Sequence, residues 1–388
     1  MRKAFFVAAV LSLFALGACS PQAPMEGPEQ AMPETPVAPI PVTNVTEAEN
    51  PGQNSNAFTF DSALFQGKLT GCSYAQAGKL LVSAEELYLY DTVSGAVLSQ
   101  CPVPLQDFEA APFEDGVALT AMSDTGMVVR IYDNRMNLKE SIDLEKLLPD
   151  DYVIGPNCVS VSSDGDRLAI AGLDALYLYD RPTERLTMLL DIARGTGGAG
   201  INTASLNGVA FTPDDNRVAF SGDGFPEQSA EGGESAPMWG TIGIDGSGLE
   251  LKWLDAEGVE ETLRADGKLF FPPAISHVDG GLSWVDTASG DAHRIAFSAN
   301  DEGGDGIYVS EQGKYVATAE LGSAVTVRIY AVDSGDLLAT KTIEVADPSY
   351  VWRIPQVSIL DDSQAVIVFL GCGIEEIDTA VTTFGFGA

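Results

Sequence analysis

One pattern recurs seven times along this chain: a run of alternating apolar residues that usually ends in aspartate and passes into a polar turn. The copies are Leu87–Asp91, Val129–Asp133, Leu176–Asp180, Thr241–Asp245, Leu282–Asp286, Val327–Tyr330 and Ile374–Asp378. Alternation with period two, rich in β-branched and aromatic residues, is typical of β-strands, and clusters of Asp, Ser and Gly such as Val93–Gly95 close hairpins. The chain is therefore predicted to repeat one β-hairpin unit.

Most copies follow a second hairpin with its own tight polar turn, as in Ser162–Ile170 and Thr212–Phe220. Two hairpins make four strands, A to D, and successive copies lie 41 to 65 residues apart, close to the ~40–45 residues of a propeller blade. The sequence predicts an all-β fold: a seven-bladed β-propeller of four-stranded antiparallel blades. A two-sheet sandwich or a β-helix is the alternative, and the weak hairpin Leu263–Phe271 leaves six or eight blades open.

The turn Ser162–Ala169, followed by runs such as Leu87–Asp91 with Ser94 and Gly95, resembles the loose repeat of bacterial WD40-like, YVTN-like and TolB-like propellers. The resemblance covers residues 57–388, although the Gly-His and Trp-Asp marks of true WD40 repeats are missing. It implies a propeller and leaves the function open, because propellers carry many chemistries. We expect Val381–Phe386 to form strand D of the last blade and Ala57–Asp61 to pair beside it, which closes the ring and covers its edge.

The N-terminus has the layout of a secretory signal. Arg2 and Lys3 precede an apolar run from Ala4 to Leu16, which is too short to span a bilayer permanently. Leu16–Cys19 resembles the lipobox of bacterial lipoproteins, which implies that residues 1–18 are removed and that Cys19 is lipidated. We therefore expect an exported protein, anchored in the cell membrane or outer membrane and facing away from the cytoplasm.

Residues 19–56 are rich in proline and contain no aromatic residue. Such a segment cannot bury enough apolar surface to offset its ordering entropy, so we interpret it as a disordered tether. The formal net charge of the chain is −35. This acidity argues against nucleic acid as a partner and against direct attraction to anionic lipid. It indicates either a solubility device or an affinity for cations and basic peptides.

The cysteine and histidine patterns suggest no cofactor. The four cysteines after Cys19 contain no CxxC spacing, and the chain has two histidines. No nucleophile motif or paired-carboxylate signature is present. Cys72 begins an A strand and Cys372 follows a B strand in neighbouring blades, so a Cys72–Cys372 disulfide is conceivable in an oxidising compartment.

Candidate binding residues follow from the placement of the long connections. In a propeller the A–B and C–D turns share one face, and here they are short, whereas long stretches such as Asp191–Leu206 and Ser221–Trp239 belong to the opposite face. Binding residues concentrate on loops that a rigid scaffold holds. The candidates are Tyr152, Arg194, Asn202, Phe225, Trp239, His277, Trp352 and Arg353.

Three functions remain open at this stage. The first is a non-catalytic module, expected to be a monomer, that binds a protein or a small-molecule or glycan ligand. The second is a propeller enzyme of lactonase or lyase type, whose residues need not form a recognisable motif. The third is a sugar- or solute-binding lipoprotein. Acids with raised pKa values on the long-loop face would favour the enzyme.

Overall fold

The computed structural model describes residues 72–83, 86–102, 108–123, 126–148, 159–172, 175–191, 201–226, 236–254, 263–265, 267–272, 281–297, 306–344, 355–372 and 378–386. These residues form seven antiparallel sheets, and in each sheet the strands neighbour one another in chain order. The fold is a seven-bladed all-β propeller with almost no helix, so the predicted architecture and blade number are confirmed.

The blades follow one another along the chain. Blade 1 holds β1 to β4 (Cys72–Gln76, Lys79–Ser83, Glu86–Asp91, Val97–Pro102), and blade 2 holds β5 to β8 (Phe108–Phe113, Gly116–Ser123, Gly126–Asp133, Leu138–Asp143). Blade 3 holds β9 to β12 (Val159–Val161, Arg167–Ala171, Ala175–Asp180, Arg185–Asp191), and blade 4 holds β13 to β16 (Ile201–Phe211, Arg217–Pro226, Ala236–Gly243, Glu250–Trp253). Blade 5 holds β17 to β20 (Leu263–Ala265, Lys268–Phe271, Gly281–Asp286, Ala292–Ala296), and blade 6 holds β21 to β24 (Gly306–Val309, Tyr315–Leu321, Ala324–Ala331, Leu337–Glu344). Blade 7 holds β25 to β27 (Gln356–Leu360, Ala365–Cys372, Asp378–Gly385).

Blade 7 corrects the predicted register of the last repeat. Its third strand is Asp378–Gly385, paired with β26 from Cys372–Asp378 to Ala365–Gly385. Ile374–Asp378 is therefore not the C strand, and Val381–Phe386 is not strand D. The later segment takes this place because it supplies Val381 and Phe386, each 6% exposed, to the cores on either side of the blade. Ala57–Asp61, predicted to pair beside this strand, lie outside the described residues.

The hydrophobic core is divided into seven clusters, and each cluster belongs to two adjacent blades. Leu81 of blade 1 packs with Leu119 of blade 2, for example, in one such cluster. The series continues around the ring until Phe369 and Val381 of blade 7 pack with Leu80 and Tyr90 of blade 1. The last cluster joins the two ends of the described chain and so closes the ring. The tyrosines of the repeat fill these cores, as the alternation predicted, with Tyr90 and Tyr330 each 1% exposed.

The aspartates that mark the repeat close the turn between strands C and D. Asp91 accepts hydrogen bonds from the Ser94 amide and hydroxyl, both at 2.6 Å, and these bonds lower the pKa of its carboxyl. Asp180 and Asp245 accept from Thr183 and Ser247 in the same way, and their pKa values are lowered as well. The recurring aspartate is therefore explained by turn geometry.

Basic residues at the start of strand B tie alternate blades to the next blade. The ammonium of Lys79, a residue only 7% exposed, donates to the carbonyls of Phe113 and Glu114 in blade 2. Arg167 of blade 3 donates to the Asp215 carbonyl at 3.2 Å, and Lys268 of blade 5 donates to the Gly313 carbonyl at 2.9 Å. These three contacts engage the A–B turns of blades 2, 4 and 6.

One short helix, α1 (Leu144–Leu147), follows β8, and Asp143 caps it by accepting a hydrogen bond from the Lys146 amide. Within the described ranges, no helix has the length and apolarity needed to cross a bilayer.

Candidate binding faces

The two ends of the propeller differ in their connections. We call the end that carries the A–B and C–D turns the turn face, and the opposite end, with the B–C and D–A connections, the loop face. The A–B turns are as short as Ala77–Gly78 and Glu114–Asp115, whereas β8 and β9 are separated by residues 144–158 and β24 and β25 by residues 345–355. Most of the variation among blades therefore lies at the loop face.

Blade 4 has an inner hairpin that is longer than any other in the described propeller. Its strands β13 and β14 contain 11 and 10 residues, whereas the innermost strands of blades 3 and 5, β9 and β17, contain 3 each. Residues 201–208 continue beyond the part that matches β9, and at 3.3 Å per residue this extension adds roughly 26 Å of strand. The predicted loops Asp191–Leu206 and Ser221–Trp239 thus belong in part to strands, with residues 192–200 and 227–235 between the strands. We call this extension the blade 4 hairpin.

Three predicted binding residues lie in blade 4. Asn202 is on β13 and Phe225 is on β14, both in the blade 4 hairpin; their side chains lie outside the described residues. Trp239, on β15, is 3% exposed and packs in the core shared with Leu269 and Phe271 of blade 5. Lys252 places its Nζ 5.3 Å from the Trp239 ring centroid and donates to the Gly290 carbonyl at 2.7 Å. Trp239 thus joins blades 4 and 5, and its contact with a ligand stays a prediction.

The remaining predicted residues are not brought together by the described part of the structure. Tyr152, Arg194, His277, Trp352, Arg353 and the lipidation residue Cys19 lie outside the described residues. Cys72 begins β1 and Cys372 ends β26, both at the loop-face ends of inner strands in adjacent blades. Their side chains are outside the described part, so the disulfide stays a prediction. Cys101 is a free, half-buried thiol whose pKa burial raises.

The blade 4 hairpin also contains an acid that the sequence analysis overlooked. Asp223 lies on β14 opposite Ser205 and Pro237, and burial raises the pKa of its carboxyl. The neighbouring Gly222 is required by the close pairing, since a Cβ there would stand 2.0 Å from the Ser205 carbonyl oxygen. The Gly222-Asp223-Gly224 sequence was the available signal, because glycines in a strand mark close approach of backbones.

A central cavity of about 390 Å³ opens at the turn face, where A strands and A–B turns of six blades converge. Its walls include Phe113, Ser163, Phe211 and Pro213, and its charged lining residues are Glu114, Asp215 and Glu311. Two of these carboxylates also hold turns in place: Asp215 accepts from the Ser163 amide at 2.9 Å, and Glu311 accepts from the Gly78 amide at 2.6 Å. The sequence analysis had treated these turns only as short hairpins.

The described residues contain no group of three or more His, Cys, Asp or Glu side chains that could hold a metal ion. Among the described Asp and Glu residues, Asp223 is the one whose pKa is shown to be raised.

Comparison with solved structures agrees with this architecture. The β-propeller domain of Cps50 (Swd1) from Myceliophteria thermophila superposes with a TM-score of 0.52 at 11% sequence identity, covering 81% of this chain and 98% of that domain. This chain has the fold of a WD40-like seven-bladed propeller. Hsv2 from Kluyveromyces lactis gives a TM-score of 0.49 at 9% identity, covering 82% and 99% of the two chains. No protein-family model and no curated protein sequence matches the chain. At such low identity the likeness concerns the fold alone.

Proposed function

We propose that this chain is a lipid-anchored, extracytoplasmic propeller that binds a partner protein or a small ligand through its loop face and catalyses no reaction. The blade 4 hairpin carries this proposal. Its strands extend well past the pairing needed to complete blade 4, and it stands at the face where the connections are longest. A rigid ring that presents one extended element at the face with the longest connections is an arrangement typical of binding scaffolds.

The state of Asp223 supports a binding role for this hairpin. Its half-buried carboxyl has a raised pKa, and burial is the cause of the shift. A half-buried carboxylate lowers the stability of the fold. Such groups are common at binding sites, where a desolvated side chain is retained for function. The same observation favours the second candidate, an enzyme in which Asp223 acts as the acid. A glycan or solute ligand would be a third outcome of the same screen.

A thermal-shift screen can test the loop face. Candidate glycans, small solutes, lactones and peptides are added to the protein, and a ligand that binds only the folded state raises its Tm. For any ligand found, Phe225→Ala and Asp223→Asn are expected to weaken binding about tenfold or more. Asp336→Asn, at an exposed residue of a C–D turn on the turn face, is the matched control. The proposal is contradicted if only the control loses affinity, or if both loop-face variants keep the affinity of the unmodified protein.

The same variants separate binding from catalysis. If a lactone that binds is also turned over, and Asp223→Asn abolishes turnover while leaving affinity within a factor of two, the enzyme is the better description. If Asp223→Asn affects affinity alone, the binding module stands.

The anchor rests on residues 1–56. The Leu16–Cys19 sequence and the proline-rich tether support it. Cys19→Ser is expected to leave the signal segment uncleaved or to release the protein from lipid, so that metabolic labelling with palmitate disappears. Labelling that persists in Cys19→Ser would place the lipid elsewhere and refute this part of the proposal.

A further inference from the structure

The turn-face cavity has a composition that points to one class of partner. Its charged lining residues are all acidic: Glu114 of blade 2, Asp215 of blade 4 and Glu311 of blade 6. Between them lie apolar walls such as Phe113, Phe211 and Pro213. No lysine or arginine belongs to the described lining. The cavity therefore combines apolar walls with acidic residues, which we call the rim carboxylates.

The basic residues nearest to the cavity are already engaged in the ring itself. The Lys79 ammonium donates to the Phe113 and Glu114 carbonyls, and the Lys268 ammonium donates to the Gly313 carbonyl. The Arg167 guanidinium donates to the Asp215 carbonyl. These groups act as ties between blades. The Lys79 ammonium also interacts electrostatically with Glu114 and Asp115 and offsets part of their charge, but the described lining contains three acids and no basic residue, so an incoming ligand meets a net negative charge.

The frame of the cavity is held in place before any ligand arrives. The Glu311 side chain links blade 6 to the Gly78 amide of blade 1, and Asp215 links blade 4 to Ser163 of blade 3. Asp361 of blade 7, 5% exposed, accepts from the Ser310 hydroxyl at 2.7 Å and from the Gln312 amide at 2.8 Å. A frame fixed in this way binds without a large ordering penalty.

From these observations we infer that the turn-face cavity binds an extended, positively charged segment of a partner protein. The aliphatic stem of a lysine or arginine lies against Phe211 and Pro213, and the head group meets the carboxylates of Glu114 and Glu311. At about 390 Å³ the cavity is near the lower end of the roughly 300–1,000 Å³ typical of ligand sites, so it holds one or two side chains and not a folded element. The net charge of −35 attracts such a segment from a distance. This surface is separate from the loop face, and the inference does not depend on the function proposed there.

Fluorescence anisotropy with two labelled probes tests the inference. The probes are an eight-residue peptide of alternating arginine and glycine and its counterpart with glutamate in place of arginine. They are titrated with the protein in a non-ionic detergent at low and at moderate salt. We expect the arginine peptide to bind, with affinity that falls as salt rises, and the glutamate peptide not to bind.

Variants then locate the site. In Glu114→Gln/Glu311→Gln the amide oxygen at position 311 can still accept from the Gly78 amide, while two rim charges are removed. Each charge is worth about two- to fivefold in affinity for exposed pairs, so the double variant is expected to bind about tenfold more weakly. The matched control is Asp291→Asn/Asp336→Asn, which removes two exposed charges from the C–D turn region at the outer edge of the same face. It is expected to stay within a factor of two of the unmodified protein.

Thermal unfolding of both double variants shows that the ring is intact, and Glu114→Lys serves as a second rim variant if Glu311→Gln unfolds. Equal losses in the rim and control variants would assign binding to bulk acidity and overturn the inference. So would no binding of the arginine peptide, or full affinity in the rim variant. Binding of arginine methyl ester as tightly as the peptide would make the occupant a small cation and also overturn it.

Discussion

Replacing Lys79 by methionine tests how strongly the basic ties between blades stabilise the ring. Lys79 is 7% exposed, and its ammonium donates two charge-assisted hydrogen bonds to carbonyls of blade 2. Hydrogen bonds to charged groups contribute about 1.5–3 kcal/mol each. Burial lowers the pKa of this ammonium and so outweighs the electrostatic gain of its charge. The loss expected in the variant therefore comes from the buried carbonyls that lose a donor, of which the Glu114 carbonyl keeps a bond from Asn134 at 3.2 Å.

We therefore expect Lys79→Met to lower the free energy of unfolding by about 2 kcal/mol, within the about 1–3 kcal/mol that a buried acceptor left without its donor costs. For a domain of this size 1 kcal/mol corresponds to about 2 °C in Tm, so the expected shift is about 4 °C. Urea unfolding followed by tryptophan fluorescence gives the free energy, and calorimetry gives the Tm.

Lys139→Met is the matched control, because Lys139 pairs with Asp133 at 2.8 Å while its side chain is 56% exposed. Exposed pairs contribute about 0–1 kcal/mol.

The pH dependence of stability gives a second test of the Lys79 tie. Because the folded pKa of Lys79 is lowered, the unfolded chain binds more protons between the folded and unfolded pKa values, and stability due to this group rises as pH increases through that window. This alkaline gain is absent from Lys79→Met. If both variants lose the same stability and show the same alkaline profile, the argument for the tie fails.

Three further perturbations follow, the first from the predicted ring closure and the other two from the fold. Deleting residues 57–61 is expected to lower the Tm by several degrees and to promote aggregation, measured by light scattering. Deleting residues 29–33 is the control and is expected to change neither. Equal effects of the two deletions would refute the predicted pairing of Ala57–Asp61 beside the last strand. Trp239→Ala removes a large side chain that is 3% exposed, and we expect a loss of about 3–5 kcal/mol in urea unfolding, against less than about 0.5 kcal/mol for Met188→Ala at 50% exposure. Asp223→Asn is expected to raise the Tm at pH 7, because the raised folded pKa means that the charged form destabilises the fold above that pKa. The gain disappears as pH falls below the ordinary range of an aspartate, and a variant that is less stable at pH 7 would contradict this reading.

The C strands of blades 1, 2, 3, 5 and 6 could be located from sequence because each combines alternation with a turn aspartate. Residues such as Tyr90 and Asp91 serve the core and the C–D turn of one hairpin, so local signals suffice. The same signals failed in blade 7. There Ile374 and Ile377 suggested a strand, but the alternation of residues 378–385 fits the two flanking cores, and only the packed ring shows which segment fills them.

The blade 4 hairpin shows a different limit of sequence reasoning. Gly222 and Gly224 are poor strand formers, so the segment resembled a loop. The structure accepts them because the neighbouring backbones approach closely, as the 2.0 Å distance for a Cβ at Gly222 shows. The turn-face cavity could not be predicted for a related reason. Glu114, Asp215 and Glu311 are far apart in the chain and come to line one cavity only when the seven blades close into a ring.

The sharing of every core between two blades has a consequence for how the molecule opens. Each described core cluster is formed by two blades. Because Val381 and Phe369 of blade 7 contact Leu80 of blade 1, neither of these blades is a free end at which unfolding could begin. Opening any one blade exposes the apolar sides of both neighbours, unlike a linear repeat array, in which end units detach at the expense of one boundary. Amide hydrogens in the inner strands should accordingly exchange with similar protection in all seven blades. Local unfolding of any one blade would spread to both of its neighbours.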